Sequence, residues 1–257
     1  MSKLAAEYHS VPSLDAATRN RMFALFNRYY DAVDAAQFEQ DLNGKSIAIL
    51  LWDAQQELQG FSTIEVCRVD ETSPECMLLY SGDTIISHEH WGEQRLAYAW
   101  CYFAGQIKKQ RPETPLYWFL IVKGHRTYRY LPAFTRRFFP RHREATPAEL
   151  QNIVDIVALK KFGRAYNPAT GVLHFDKPRG HLRQEWSELG EEIVRKPDVQ
   201  YFLKRNPGYV SGDELVCITE LCDDNMRFIS RTAFLEGLNS CRDGLIFDVA
   251  SLASAGS

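Results

Sequence analysis

The fold is decided by the run CMLLYSGDTIIS (76–87), HEHWG (88–92), EQRLAYAWCYFAGQIKK (93–109), PLYWFLIVKG (115–124) and HRTYRYLPAFTRRFFPR (125–141). It reads strand, glycine turn, apolar helix, strand, short helix, strand. A strand that turns straight into an apolar helix and returns as a buried strand is a crossover unit. LYWFLIV (116–122) is apolar throughout, as in a central strand covered on both faces. Ser81-Gly82, inside the first strand, predicts a bulge or a close backbone approach. The start of the helix offers free N–H groups and partial positive charge, so the turn 87–95 is a candidate anion site.

Outside this run, the chain has 257 residues, 45% of them hydrophobic, enough for a sizeable core. A net charge of −3 gives no global attraction to nucleic acid. No apolar run approaches the ~20 residues that span a bilayer. MSKLAAEYHSVPSLD (1–15) lacks the apolar core of a secretory signal. Six cysteines, none in a CxxC pair, fit a reducing cytoplasm. Residues 1–13 read as a tail. Ser13 or Asp15 caps a first helix, and a second covers 35–42 and stops at Asn43-Gly44. Strands follow at 46–52 and 61–69 as a hairpin. Later elements are a helix from Pro147 to Phe162, a short strand near 172–175, a helix over 198–208, a strand over 214–221 and a helical piece near 231–239.

Helices, a β-hairpin and then this strand–turn–helix–strand–helix–strand run resemble the GNAT superfamily of N-acyltransferases, over residues 20–140, with ELVCITEL (214–221) as closing strand. The resemblance implies an α/β (α+β) fold: a mixed, twisted central sheet with a splayed strand pair, flanked by helices and followed by a C-terminal extension. On that reading 14–145 is a GNAT-like core, 146–222 continues the same domain, and 223–257 is an appendage. Residues 145–257 would cap the site or build a homodimer. The strand that the family places ahead of its first helix is not evident.

The resemblance also implies an acyltransferase with no permanently bound cofactor, using a coenzyme A or phosphopantetheine thioester as co-substrate. The acceptor would be a small amine or hydroxyl compound. The family's turn after the fourth strand reads Arg/Gln-x-x-Gly-x-Gly/Ala, and its N–H groups hold the pyrophosphate of coenzyme A. EHWGEQ (89–94) is the matching piece, with Gly92 at the first glycine. His90, Trp91, Gly92, Glu93, Gln94 and Arg95 are therefore the implied cofactor-binding residues. Glu89 stands where a basic or amide residue is usual, and Gln94 where a second small residue is usual. A carboxylate repels phosphate and a side chain narrows the cradle, which turns the reading towards an acyl carrier protein as donor. The family's tyrosine general acid, in the helix after the fifth strand, corresponds to Tyr128 or Tyr130.

His88, Glu89 and His90 lie at a strand end, where ligands collect in open α/β sheets. One of them would be a base or a substrate hook; the alternative is polar turn residues in water. His-x-His lacks a third metal ligand at recognisable spacing. Asp83, in an otherwise apolar strand, is either an edge carboxylate or one held for use with a raised pKa. Cys101, mid-helix among aromatics, reads as core. Between Thr114 and Arg143 there is no Asp or Glu. Lys123 and Arg126 from this basic stretch would line the thioester entrance and attract a phosphate or an acidic carrier protein; the alternative is a solvated face. No RNP-type signature supports nucleic-acid binding. The second functional reading is a catalytically inert GNAT-like ligand- or partner-binding protein.

Overall fold

The computed structural model describes residues 4–176, 179–187, 191–241 and 246–254. The quoted run forms β5 (Cys76–Ile86), α3 (Arg95–Gln110), β6 (Leu116–Val122) and two short helices, α4 (His125–Tyr128) and α5 (Tyr130–Phe134). Ahead of it come β1 (Ala5–Ser10), α1 (Ala16–Asn27), β2 (Tyr30–Asp31), α2 (Ala35–Asn43), β3 (Ile47–Trp52) and β4 (Leu58–Val69). After it come α6 (Ala148–Phe162), β7 (Tyr166–Asn167), β8 (Val172–Leu173), β9 (His181–Leu182), α7 (Gln184–Ser187) and α8 (Glu191–Val194). The chain closes with α9 (Pro197–Arg205), β10 (Glu214–Glu220) and α10 (Phe228–Leu238).

Eight strands form one sheet in the order β1-β3-β4-β5-β6-β10-β8-β7, and β2 pairs with β9 separately. Among the described pairs, β5–β6 is parallel and the others are antiparallel. This is the mixed sheet flanked by helices that the sequence implied. Asp15, not Ser13, caps α1, its carboxylate accepting from the Thr18 amide at 2.7 Å.

Residues 5–10 are not a tail. They form the edge strand β1, antiparallel to β3, and the Tyr8 hydroxyl donates to the Ala99 carbonyl of α3 at 2.9 Å. This is the strand that seemed missing ahead of the first helix. Its polar, alternating exposure suits an edge and hides it among loop-like residues.

Alternation sorts the sheet residues onto two faces. Ile49, Leu79, Trp118 and Cys217 face α3 and α10. Gln106 of α3 ties the C-terminal region down, donating to the Ser240 hydroxyl and accepting from the Ile246 amide. The opposite face is split. Leu50, Phe61 and Ile85 pack under α1 and α2, whereas Leu78, Phe119 and Val216 pack under α6. The seam between these two clusters runs over the strand pair β5–β6. Among the described residues no helix is long and apolar enough to cross a membrane, and no group of three His, Cys, Asp or Glu side chains could hold a metal ion.

Candidate active site

β5 and β6 pair from Met77↔Leu116 to Ser81↔Leu120, and beyond that no pairing joins them. The strands part at an irregularity on β5's other edge. Ser62 pairs with Thr84 but Ile64 with Ser81, so Thr63 faces both Gly82 and Asp83. This is the bulge that Ser81-Gly82 predicted. One extra residue reverses the facing of everything after it. Leu79 therefore looks at α3, while Ile85 looks at α1 and α2. Asp83 turns with Ile85 and lines the seam cavity. Glycine suits position 82 because the bulge is crowded: a Cβ there would stand 2.5 Å from both Lys45 Cε and Thr63 Oγ1, so these side chains would have to move.

Three neighbouring strands thus present charge on one face: Asp83 from β5, Lys123 from the end of β6, and Glu214 from the start of β10. Lys123 Nζ stands 3.6 Å from Glu214 Oε1 and donates to the Arg179 carbonyl at 2.8 Å. Lys45 lies over the Tyr80 ring at 4.6 Å and donates to the Asp41 carbonyl at 3.2 Å. Burial raises the pKa of Asp83, with Lys123 and Lys45 opposing and Asp41 reinforcing the shift. Burial likewise raises Glu214, against Lys123, and lowers Lys45. Among the described residues, no hydrogen-bond or ion-pair partner meets the Asp83 carboxylate. The cavity it lines has a volume of about 380 Å³.

The turn predicted to hold phosphate has another arrangement. Gly92 has the positive φ (+96°) that lets it bend. But Glu93 Oε1 accepts from the Arg95 amide at 3.0 Å, which occupies an N–H at the start of α3. Gln94 donates to the Gly92 carbonyl at 3.0 Å. The Trp91 indole donates to the Ile86 carbonyl at 3.0 Å and carries the Arg126 guanidinium on its ring at 4.1 Å. Trp186 packs against both Trp91 and His88, at 5.3 Å from each ring. His90 lies beside this packing, half-buried.

The predicted catalytic residues separate. Tyr128 is fully buried against Phe138 and Phe202, and its hydroxyl donates to the Pro140 carbonyl at 2.8 Å. It sits in the core with its hydroxyl engaged, and burial raises its pKa. Tyr130 packs edge-on against Phe134, which lies on Trp118, whose indole donates to Ser81 at the last ladder pair. That places Tyr130 on the α3 side of the parting strands, with burial raising its pKa. His88 is fixed by Tyr29, whose hydroxyl accepts from the His88 amide at 2.7 Å and lies 3.3 Å from Nδ1. Glu89 is held down to about 2 by the Ser87 hydroxyl, its own amide, His88 and Arg28, which makes it too weak a base for proton abstraction. Lys123 belongs to the cavity on the opposite face, not to a thioester entrance beside Arg126.

A second cavity of about 450 Å³ is lined by Tyr29, His88, Arg183 and Trp186. Neither cavity touches Tyr128, Tyr130 or the 90–95 turn. Sequence reasoning passed over Lys45 and Glu214. Each stands at the start of an apolar strand run, where a lone charge resembles an ordinary strand boundary.

No protein-family model matches the chain, and no curated protein matches its sequence. Among solved structures it is similar to a GNAT family N-acetyltransferase (YhbS) from Escherichia coli in complex with CoA: 11% identity, 51% of this chain and 72% of that chain, TM-score 0.34. It is similar to Escherichia coli ElaA, at 17% identity over 55% of this chain and 92% of that one, TM-score 0.36. An acyl-CoA N-acyltransferase from Pseudomonas aeruginosa gives 15% identity over 55% and 93%, TM-score 0.36. Its own topology (an edge strand and two helices, antiparallel strands, one parallel pair joined by α3 and parting at a bulge, and a closing antiparallel strand beside β6) is the arrangement that the resemblance in sequence to GNAT acyltransferases implied.

Proposed function

We propose that the protein is an acyltransferase that moves an acyl group from a thioester to a small amine, with Asp83 as the base. The observation that carries this reading is a half-buried carboxyl, bonded to no neighbour and with a raised pKa, at the point where two parallel strands separate. A carboxyl moved towards neutrality is better matched to proton abstraction than one in water. Backbone groups on the strand edges beyond Ser81↔Leu120 lose their ladder partners and are suited to steadying an oxyanion. The acceptor enters from the seam cavity, and the thioester from the α3 side.

In the reaction the amine nitrogen attacks the thioester carbonyl carbon. The new C–N bond replaces the C–S bond, whose electron pair leaves with sulfur as a thiolate. The amine proton goes to the Asp83 carboxylate. Tyr130, kept protonated by its raised pKa, returns a proton to the thiolate. The donor is coenzyme A or an acyl carrier protein's phosphopantetheine, both of which present the same thioester. Six free cysteines are in keeping with a reducing compartment, and we place the activity in the cytoplasm.

A panel of acyl-CoA and acyl-carrier-protein donors, offered with mixed amines, tests this by thiol release. Release that falls by about 10²–10⁴ in Asp83→Asn is the expected result. No release from any donor, with no binding of coenzyme A or carrier, would overturn it. The inert ligand-binding reading is favoured by one observation, the side chains that occupy the α3 turn. It requires binding of a thioester without turnover.

A further inference from the structure

The cavity beside Asp83 has a lining whose charges can be accounted for one by one. Lys123 is engaged by Glu214 and by the Arg179 carbonyl. Arg179 stands 3.8 Å from Asp41 and lies over the Phe175 ring at 4.3 Å. Asp34 caps α2, accepting from the Ala36 and Gln37 amides at 2.7 and 3.2 Å. Asp176, on the exposed rim, faces Arg164 at 4.0 Å. Asp83, on the bulge itself, makes no hydrogen bond or ion pair among the described residues, and Lys123 and Lys45 act on it only through space. The rest of the wall is Ala32, Val33 and Gln37 with three rings, Phe26 and Phe38 from α1 and α2 and Phe175 from across the seam.

From this we infer that the acceptor is a monocationic primary amine with a compact aromatic or apolar body, its ammonium against Asp83 and its body among Phe26, Phe38 and Phe175. The inference rests on the acyl-transfer reading of this site and names its substrate class. A half-buried carboxylate that faces a cavity and bonds no neighbour favours a cation there, because partial desolvation leaves its charge poorly compensated. The Asp83 carboxylate takes one proton from the ammonium, which frees the lone pair that attacks, and the second proton, shed as the amide forms, replaces the one Tyr130 gives to the thiolate. A longer polyamine would bring its second charge towards Lys123 and Arg179. Aromatic faces add attraction for the same ammonium. About 380 Å³ lies in the range of small-molecule sites and suits a single ring on a short aminoalkyl chain.

The test is binding to the full chain by titration calorimetry with no thioester present. The probes are phenethylamine, its neutral counterpart phenethyl alcohol, its anionic counterpart hydrocinnamate, and spermidine. Phenethylamine is expected to bind about tenfold or more tightly than the other three. Asp83→Asn should remove its advantage over the alcohol. Gln37→Lys, which adds charge at the rim without touching Asp83, should weaken it several-fold, and both variants should melt cooperatively. Equal or tighter binding of the alcohol, the anion or spermidine would overturn the inference, as would no saturable binding of phenethylamine or an unchanged preference in both variants. Phenethylamine bound selectively, without thiol release from any donor, would support this cavity assignment while removing the acyl-transfer reading. Thiol release onto hydroxyl acceptors alone would do the reverse.

Discussion

The bulge at Gly82–Asp83 and the turn at 87–95 belong to one continuous stretch of backbone, yet their polar groups end differently. At the turn the side chains are bonded within the protein, and at the start of α3 the Arg95 amide is taken while those of Leu96 and Ala97 have no partner among the described residues. Glu93 takes the Arg95 amide, the Trp91 indole takes the Ile86 carbonyl, Arg126 covers Trp91, and Tyr29 holds His88. At the bulge Asp83 turns into a cavity and finds no partner, while charges around it are paired with one another. A glycine turn ahead of a helix offers an anion only those amides that nearby side chains leave open. A bulge announces a site when the side chain it turns has nothing else to bond.

The sharpest way to break this comparison is to remove one carboxylate from each region. Asp83→Asn should lower kcat/KM for acyl transfer by about 10²–10⁴, whereas Glu89→Gln should change it by less than about threefold. The reverse ranking in a thiol-release assay would return the chemistry to the turn. A rate that rises with pH through a midpoint above an aspartate's ordinary value is expected of Asp83, because burial favours its neutral form.

A second measurement concerns the start of α4. His125 begins α4, is 2% exposed, and its Nε2 is buried without a hydrogen-bond partner among the described residues. Burial, then Arg126 and Arg129, lower its pKa to about 4. The folded protein therefore binds fewer protons than the unfolded chain between about 4 and its ordinary value, so stability rises with pH across that window. Urea unfolding should lose about 3 kcal/mol as pH falls from 6.5 to 4, and His125→Asn should flatten most of that slope. Asp83 and Glu214 act with opposite sign, since their raised pKa values penalise the fold as pH climbs through the carboxylate range. A wild-type slope that His125→Asn leaves unchanged would show that the imidazole is not held neutral.

The bulge can also be attacked directly. Gly82→Ala forces a methyl group against Lys45 and Thr63, and overpacking of this kind costs about 1–3 kcal/mol. The denaturation midpoint should drop and acyl transfer should fall with it, because the displaced strand carries Asp83. An unchanged midpoint would mean that the lysine stem gives way freely. The smallest effect is expected at the turn. Trp91→Ala removes an exposed stacking contact with Arg126 worth about 1 kcal/mol or less. It should change the KM for the thioester a few-fold and leave kcat alone; a collapse of kcat would place the turn nearer the chemistry than the bulge.

The strand–helix–strand crossover was legible because each element carries its own periodicity. β6 was read at its observed bounds, and β5 and α3 to within a residue or two. The bulge was legible from one glycine in a strand. β1 was not, because an edge strand alternates polar and exposed residues much as a loop does. At the site, Asp83 stood out as a lone carboxylate in an apolar run. Lys45 and Glu214 did not, since a charge at a strand start has many ordinary uses. Tyr128 looked available in sequence and is bonded to Pro140 in the core.

Local patterning thus determined the order and kind of most elements, because helix and strand periods are written in neighbouring residues. Tertiary structure decided which polar groups are free. That depends on partners far away in the chain, such as Arg126 on Trp91 or Glu214 on Lys123, and on a one-residue register shift that turns Asp83 from one face of the sheet to the other.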